Sequence, residues 1–210
     1  MVGKAALLEC LENPEIKQIL LVNRRPLGMQ HPKLREVFLD DFTKPEAIRD
    51  EFSGIDACFY CMGVSAVGMS EEDYHHVTFD TTKAFANLVF EISPGAVFIY
   101  VSGIGTDSSE KGRTMWARVK GKTENMVLNK GFKDAYAFRP GIILPEKEIK
   151  SKTGWYNLLY IILWPLFPLL RLMNSITTTT RLGQAMIGVV LSPENEKHLY
   201  NADFNRMTRP

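Results

Sequence analysis

The chain has 210 residues, 45% of them hydrophobic, with 25 basic and 24 acidic side chains for a net charge of +1. That length allows one domain with a sizeable core, and charge so balanced and scattered argues against a nucleic-acid partner. Three cysteines give no paired framework and no secretory signal is visible, which fits a reducing, cytoplasmic setting.

Residues 1–8 read as the start of a helix, with Leu7, Leu8 and Leu11 on one apolar face and Asn13-Pro14 as its stop. Residues 18–23 are a nearly continuous apolar run, the pattern of a strand buried on both faces, ending at Arg24-Arg25-Pro26. A second strand is expected over 36–40, followed by Asp41-Phe42, and Thr43 reads as the cap of a helix opening with Pro45 and Glu46. Residues 56–61 make a third strand, closed by Met62-Gly63. Cys58 and Cys61 stand on it in C-x-x-C spacing, but a period of two sends their side chains to opposite faces, so neither a metal site nor a redox pair is expected.

Ser70 caps a long helix whose first turn holds Glu71, Glu72 and Asp73. Tyr74, Val77, Thr81, Phe85, Leu88 and Ile92 recur at helical spacing and read as core. His75 and His76 lie beside that stripe, without a partner placed by the sequence. Ser93-Pro94-Gly95 ends the helix. The buried-strand run 96–101 then delivers Ser102-Gly103-Ile104-Gly105 to the sheet's C-terminal edge, and a polar loop leads into a helix over 113–129 that carries Lys120. Met115, Val119, Met126 and Val127 form that helix's apolar side and Gly131 its stop. A strand over 134–138 ends in Arg139-Pro140-Gly141.

Beyond Leu144-Pro145 the composition shifts. Residues 155–173 are strongly apolar but are interrupted by Pro165 and Pro168, and so are borderline for a spanning helix. Two readings stand: a pair of short helices covering the substrate side of the sheet, or a peripheral membrane contact through Trp155, Tyr156, Tyr160 and Trp164. Residues 177–180 read as a loop and cap, 181–190 as a final helix with Leu182, Met186, Val189 and Val190 inward, and 197–201 as a short edge strand. The expected organisation is one domain over 1–210, with 146–190 as an apolar helical cap.

Ser102, then Trp116, then Lys120 four residues on, resemble the Ser…Tyr-x-x-x-Lys site of short-chain dehydrogenases/reductases. The resemblance is closer to the atypical, epimerase-like NAD(P)-binding branch that includes Tat-interacting oxidoreductase-like proteins. It implies a Rossmann-like α/β fold with a doubly wound parallel sheet. In that family the serine orients a substrate carbonyl, the tyrosine passes the proton, and the lysine holds the nicotinamide ribose and lowers the tyrosine pKa. The tyrosine position here is Trp116, whose indole N–H is only a donor and cannot act as acid and base. The resemblance therefore carries over Ser102 and Lys120 as catalytic candidates.

For the cofactor, the resemblance aligns Gly3 with the third glycine of a G-x-x-G-x-x-G turn. The first strand and the other two glycines are not in the chain. A late start of the reading frame is one explanation, and a chain that lacks the element, with a damaged sheet, is the other. Arg24 and Arg25 fall where the family contacts the adenosine ribose, and two arginines without a carboxylate favour NADP(H) over NAD(H); solvated strand-end charges are the plain alternative. Asp41 and Phe42 resemble the adenine-edge contact. Cys61 and Gly63 resemble the turn beside the cofactor, and Pro140 and Gly141 the segment under the nicotinamide. The expected function is an NADP(H)-dependent oxidoreductase or epimerase-like protein acting on a small carbonyl or hydroxyl compound, with a homodimer as in relatives. The alternative is a non-catalytic nucleotide sensor or scaffold, for which Trp116 argues.

Overall fold

The computed structural model describes residues 1–147 and 173–208. In chain order these hold α1 (Val2–Glu12), β1 (Ile19–Asn23), β2 (Leu34–Phe38), a 3-10 helix (Pro45–Phe52), β3 (Ala57–Tyr60), α2 (Glu71–His75), a π-helical turn (His76–Asp80) and α3 (Thr81–Ile92). There follow β4 (Val97–Val101), α4 (Met115–Leu128), β5 (Asp134–Arg139), β6 (Ile142–Leu144), β7 (Ile176–Thr178), α5 (Thr179–Leu191), β8 (His198–Tyr200) and α6 (Asn201–Met207).

Strands β4 and β5 are apolar on both faces because both faces are covered. Phe98 and Tyr100 turn toward Phe85, Leu88 and Val89 of α3 and Val127 of α4. Val97, Ile99, Tyr136 and Phe138 turn the other way, toward Leu182, Met186 and Val189 of α5, with Leu199 and Phe204. Each fully buried side chain of this size contributes about 1.5–3 kcal/mol of transfer free energy. The order is β3-β4-β5-β8, every pair is parallel, and helices cover both faces: a doubly wound, Rossmann-like sheet. On the α5 side, α1 packs close at Gly183, where an added Cβ would come within 3.0 Å of the Ala5 carbonyl oxygen.

The sheet is not continuous. β1 pairs in parallel with β2 alone, β6 pairs with β7, and among the described residues no strand hydrogen-bonds between β1 and β3. This changes the expectation for β1. Its five residues are all half-buried rather than buried, although Leu20 and Val22 still pack against the apolar cluster of Tyr60 and Phe85. With one edge unpaired, the strand cannot be enclosed as β4 is.

Other departures are local. The second strand lies at Leu34–Phe38 rather than 36–40. Thr43 does not cap a helix. Its N–H and hydroxyl donate to Asp41 Oδ1 at 2.9 and 2.6 Å, and the following 3-10 helix starts at Pro45 and is kinked at Ile48. The long helix expected after Ser70 contains the π turn, although Ser70 caps it as expected, its Oγ accepting from the Asp73 N–H at 3.1 Å. Residues 176–178 form a strand, not a loop, and Thr178 caps α5. Cys58 and Cys61 do face opposite clusters; all three thiols are free, and burial pushes Cys58 and Cys61 up to about 12 and Cys10 to about 11. Much of the expected cap over 146–190, and nearly all of the apolar run 155–173, lies outside the described residues. Among the described residues no helix is long and apolar enough to cross a membrane.

Candidate functional site

The C-terminal end of β4 opens onto a buried polar cluster. Glu124, on α4 one turn beyond Lys120, is 0% exposed. It accepts from Arg139 through two hydrogen bonds, Nε at 3.0 Å and Nη2 at 2.5 Å. Ser102, 6% exposed, donates its hydroxyl to the same carboxylate and lies 3.2 Å from the Phe138 carbonyl oxygen. Arg139 also reaches the Tyr200 hydroxyl at 3.0 Å and the Ser108 hydroxyl, with its guanidinium 5.8 Å from the Tyr200 ring centre. The hydrogen bonds to Glu124 push the Arg139 pKa still higher. His198 Nε2 stands 3.6 Å from the Glu124 carboxylate, buried, with no hydrogen-bond partner among the described residues.

Lys120 uses one N–H on the Ser102 carbonyl oxygen, at 2.5 Å. Burial depresses its pKa, and the Glu124 charge opposes the shift. Trp116, one turn earlier on the same face of α4, lays its ring edge against Gly105. That glycine has φ +85°, and a Cβ there would sit 3.3 Å from the indole. The loop between Ser102 and Trp116 is fixed from several sides. Asp107 accepts from the N–H groups of Ser109 (3.0 Å) and Gly112 (2.6 Å), and its own N–H donates to Ala117 O at 3.0 Å. The Ser109 hydroxyl and these N–H groups hold the Asp107 carboxyl below its ordinary value. Gly121 makes room for the loop: a Cβ there would meet the Asp107 carbonyl oxygen at 1.8 Å.

The residues expected on the cofactor side fall into three groups. Gly3, at the start of α1, lies against Cys61, where an added Cβ would come 3.3 Å from the Cys61 Cβ, and Gly63 has open space around it. Arg24 and Arg25 are exposed and pair with no carboxylate among the described residues; the Arg24 guanidinium sits 6.0 Å from the Phe42 ring centre. Asp41 is bound back onto Thr43, with Lys44 at 3.3 Å. Pro140 and Gly141 stand beside the β4 loop: the Pro140 carbonyl accepts from Ile104 N–H and the Gly141 N–H donates to Asn201 Oδ1, both at 3.0 Å.

Sequence reasoning missed Glu124 and the role of the Arg139 side chain. A signal was present. Glu124 falls on the face of α4 that also carries Val127, and a carboxylate at a buried helical position needs a cation; Arg139 closes the neighbouring strand. His75 and His76 lie on the surface instead, near Asp80 at 3.6 and 3.3 Å, with His75 Nε2 3.1 Å from Lys122. No group of metal-ligating side chains forms among the described residues.

Parallel strand order and helices on both faces define a Rossmann-like α/β fold. No family model matches the chain. Among curated proteins it is similar to Protein HTATIP2 of Rattus norvegicus, 26% identical over 155 residues, covering 73% of this chain and 63% of that one. It is also similar to Protein FMP52, mitochondrial, of Debaryomyces hansenii, 24% identical over 154 residues, covering 70% of this chain and 65% of that one. The chain thus spans just under two thirds of the length of these relatives. Its fold matches a short-chain dehydrogenase from Burkholderia cenocepacia in complex with NADP (TM-score 0.65, 12% identity, 95% of this chain and 82% of that one). It matches the Bordetella bronchiseptica enzyme WbmH in complex with NAD+ equally well (TM-score 0.65, 11% identity, 95% and 71%). The resemblance to short-chain dehydrogenases/reductases holds in the fold.

Proposed function

We propose that this protein is an NADP(H)-dependent oxidoreductase or epimerase-like enzyme acting on a small carbonyl or hydroxyl compound. The observation that carries this reading is Lys120, its ammonium anchored on the Ser102 carbonyl oxygen at the C-terminal edge of β4 with two N–H donors to spare. Similarity to proteins solved with NADP and with NAD+ supports a nicotinamide nucleotide. The residues present fit one in part. Gly3 allows the start of α1 to approach Cys61 closely, and the exposed Arg24 and Arg25 beside Phe42 suit a ribose 2′-phosphate near an adenine-stacking ring.

A bound nicotinamide would supply or accept the hydride; the chain's own residues handle the rest. Ser102 has one O–H and gives it to Glu124, so it reaches a substrate carbonyl only by turning away from that carboxylate. Lys120, its pKa lowered by burial, is the better-placed proton source, directly or through one water. Trp116 closes the loop and cannot replace a tyrosine in proton transfer. NADPH oxidation with small aldehydes tests the reading, and Lys120→Met should abolish it without loss of the fold.

Trp116 also favours a second reading, a nucleotide-binding sensor or scaffold of the same fold. Trp116→Tyr separates the two. Activity that is absent in the native chain and created by tyrosine supports the scaffold, whereas native turnover that tyrosine lowers removes it. A cytoplasmic setting, a homodimer, and membrane contact through residues 155–173 belong to the same proposal; sedimentation and liposome flotation test the last two.

A further inference from the structure

The loops that meet at the C-terminal edge, beside Ser102 and Lys120, expose two isoleucines. Ile104, two residues past Ser102, is 64% exposed, and Ile142, just past Gly141, is 58% exposed. The two flank the same turn: the Ile104 Cδ1 lies 3.8 Å from where a Gly141 Cβ would be, and the Ile104 N–H bonds to the Pro140 carbonyl.

Asn201, at the same turn, is already occupied. Asn201 is 5% exposed; its Oδ1 accepts from the Gly141 N–H at 3.0 Å, and its Nδ2 donates to the carbonyls of Ile142 (3.0 Å) and Ser175 (2.6 Å). It ties three segments together and has no donor left for a ligand. Arg139 and Glu124 are likewise turned inward onto each other. Asn201, Arg139 and Glu124 thus hold the edge from inside, and Ile104 and Ile142 are the large apolar side chains it exposes there.

We infer that the carbonyl substrate carries an aliphatic or aromatic substituent that rests on Ile104 and Ile142. This rests on the oxidoreductase reading and narrows it to a substrate class. The two isoleucines give such a substituent apolar area to cover and no hydrogen-bond partner of their own.

The test is a homologous series of aldehydes from butanal to octanal, with glyceraldehyde as the polar comparison, each reduced with NADPH. Binding of octanamide, a non-reacting analogue, is measured in parallel by calorimetry. Full burial of a methylene is worth about 0.8 kcal/mol, or about four-fold, so kcat/KM should rise about two- to four-fold per methylene. Ile104→Asn and Ile142→Asn, both at exposed positions, should each lower octanal turnover and octanamide affinity about ten-fold and leave glyceraldehyde turnover within two-fold. A preference for glyceraldehyde, or a flat series untouched by either variant, overturns the inference and leaves the oxidoreductase reading in place. Octanamide binding that responds to the two variants, with no NADPH-dependent turnover of any aldehyde, upholds the apolar site and overturns the oxidoreductase reading. Neither binding nor turnover overturns both.

Discussion

Replacing Glu124 with alanine should cost about 3–5 kcal/mol of folding stability, the usual penalty for removing one partner of a buried ion pair. The carboxylate is 0% exposed and accepts from both Arg139 Nε and Nη2 as well as from the Ser102 hydroxyl. Its loss leaves a guanidinium whose side chain is 10% exposed facing a cavity, with the Tyr200 and Ser108 hydroxyls as poor compensation. A domain holds about 5–15 kcal/mol in total, so the variant loses a large share. Urea unfolding followed by circular dichroism would read this as a fall in midpoint of about 1.5–2.5 M, at an m-value of about 2 kcal/mol/M. Glu124→Gln keeps the volume and isolates the charge. The double variant Glu124→Met with Arg139→Met removes both charges and should recover most of the loss, because a buried pair replaced by apolar side chains is often neutral. A single-variant cost below about 1 kcal/mol, or a double variant as unstable as the single one, would refute the claim that this pair holds α4 to β5.

Two glycines give opposite expectations. Gly121→Ala forces the Asp107 carbonyl off α4 and should cost about 2–4 kcal/mol, whereas Gly188→Ala in α5 meets nothing within 4 Å and should gain up to about 1 kcal/mol in helix propensity; thermal unfolding of the pair reads both. Lys120 sets a pH dependence. Its folded pKa is depressed below 10.5, so above that depressed value the unfolded chain binds more protons, and stability relative to Lys120→Met should rise with pH until 10.5 is passed. A difference that falls across that window would contradict the burial of its ammonium. The thiols, pushed up to about 11 and 12 by burial, should react slowly with a disulfide reagent at pH 8 in the native chain and rapidly once unfolded.

Much of the frame was legible because local rules and tertiary packing agree there. The run of β4 and residues 135–138 of β5 are apolar at every position and are covered on both faces, and Ser70 caps α2 with the three carboxylates that follow it. Cys58 and Cys61, three apart on an extended segment, divide between the two faces as a period of two requires. What was not legible depends on distant partners. β6 and β7 are three residues each and exist only by pairing with one another across more than thirty residues. β1 has the composition of an enclosed strand, and nothing in its own residues shows that, among the described residues, one of its edges goes unpaired. Lys120, singled out by the resemblance, does lie against Ser102, while the Ser102 hydroxyl is committed to Glu124, a residue whose surroundings appear only when α4 is laid against β5.

The most direct test of the proposed activity is calorimetric titration of the chain with NADPH and with NADH, alongside a variant carrying Arg24→Glu and Arg25→Glu. The account predicts that NADPH binds at least about ten-fold more tightly than NADH, each charged hydrogen bond to the 2′-phosphate being worth about 1.5–3 kcal/mol, and that the variant erases the difference while leaving NADH unchanged. Equal affinity for the two nucleotides, or a preference the variant does not touch, would contradict it.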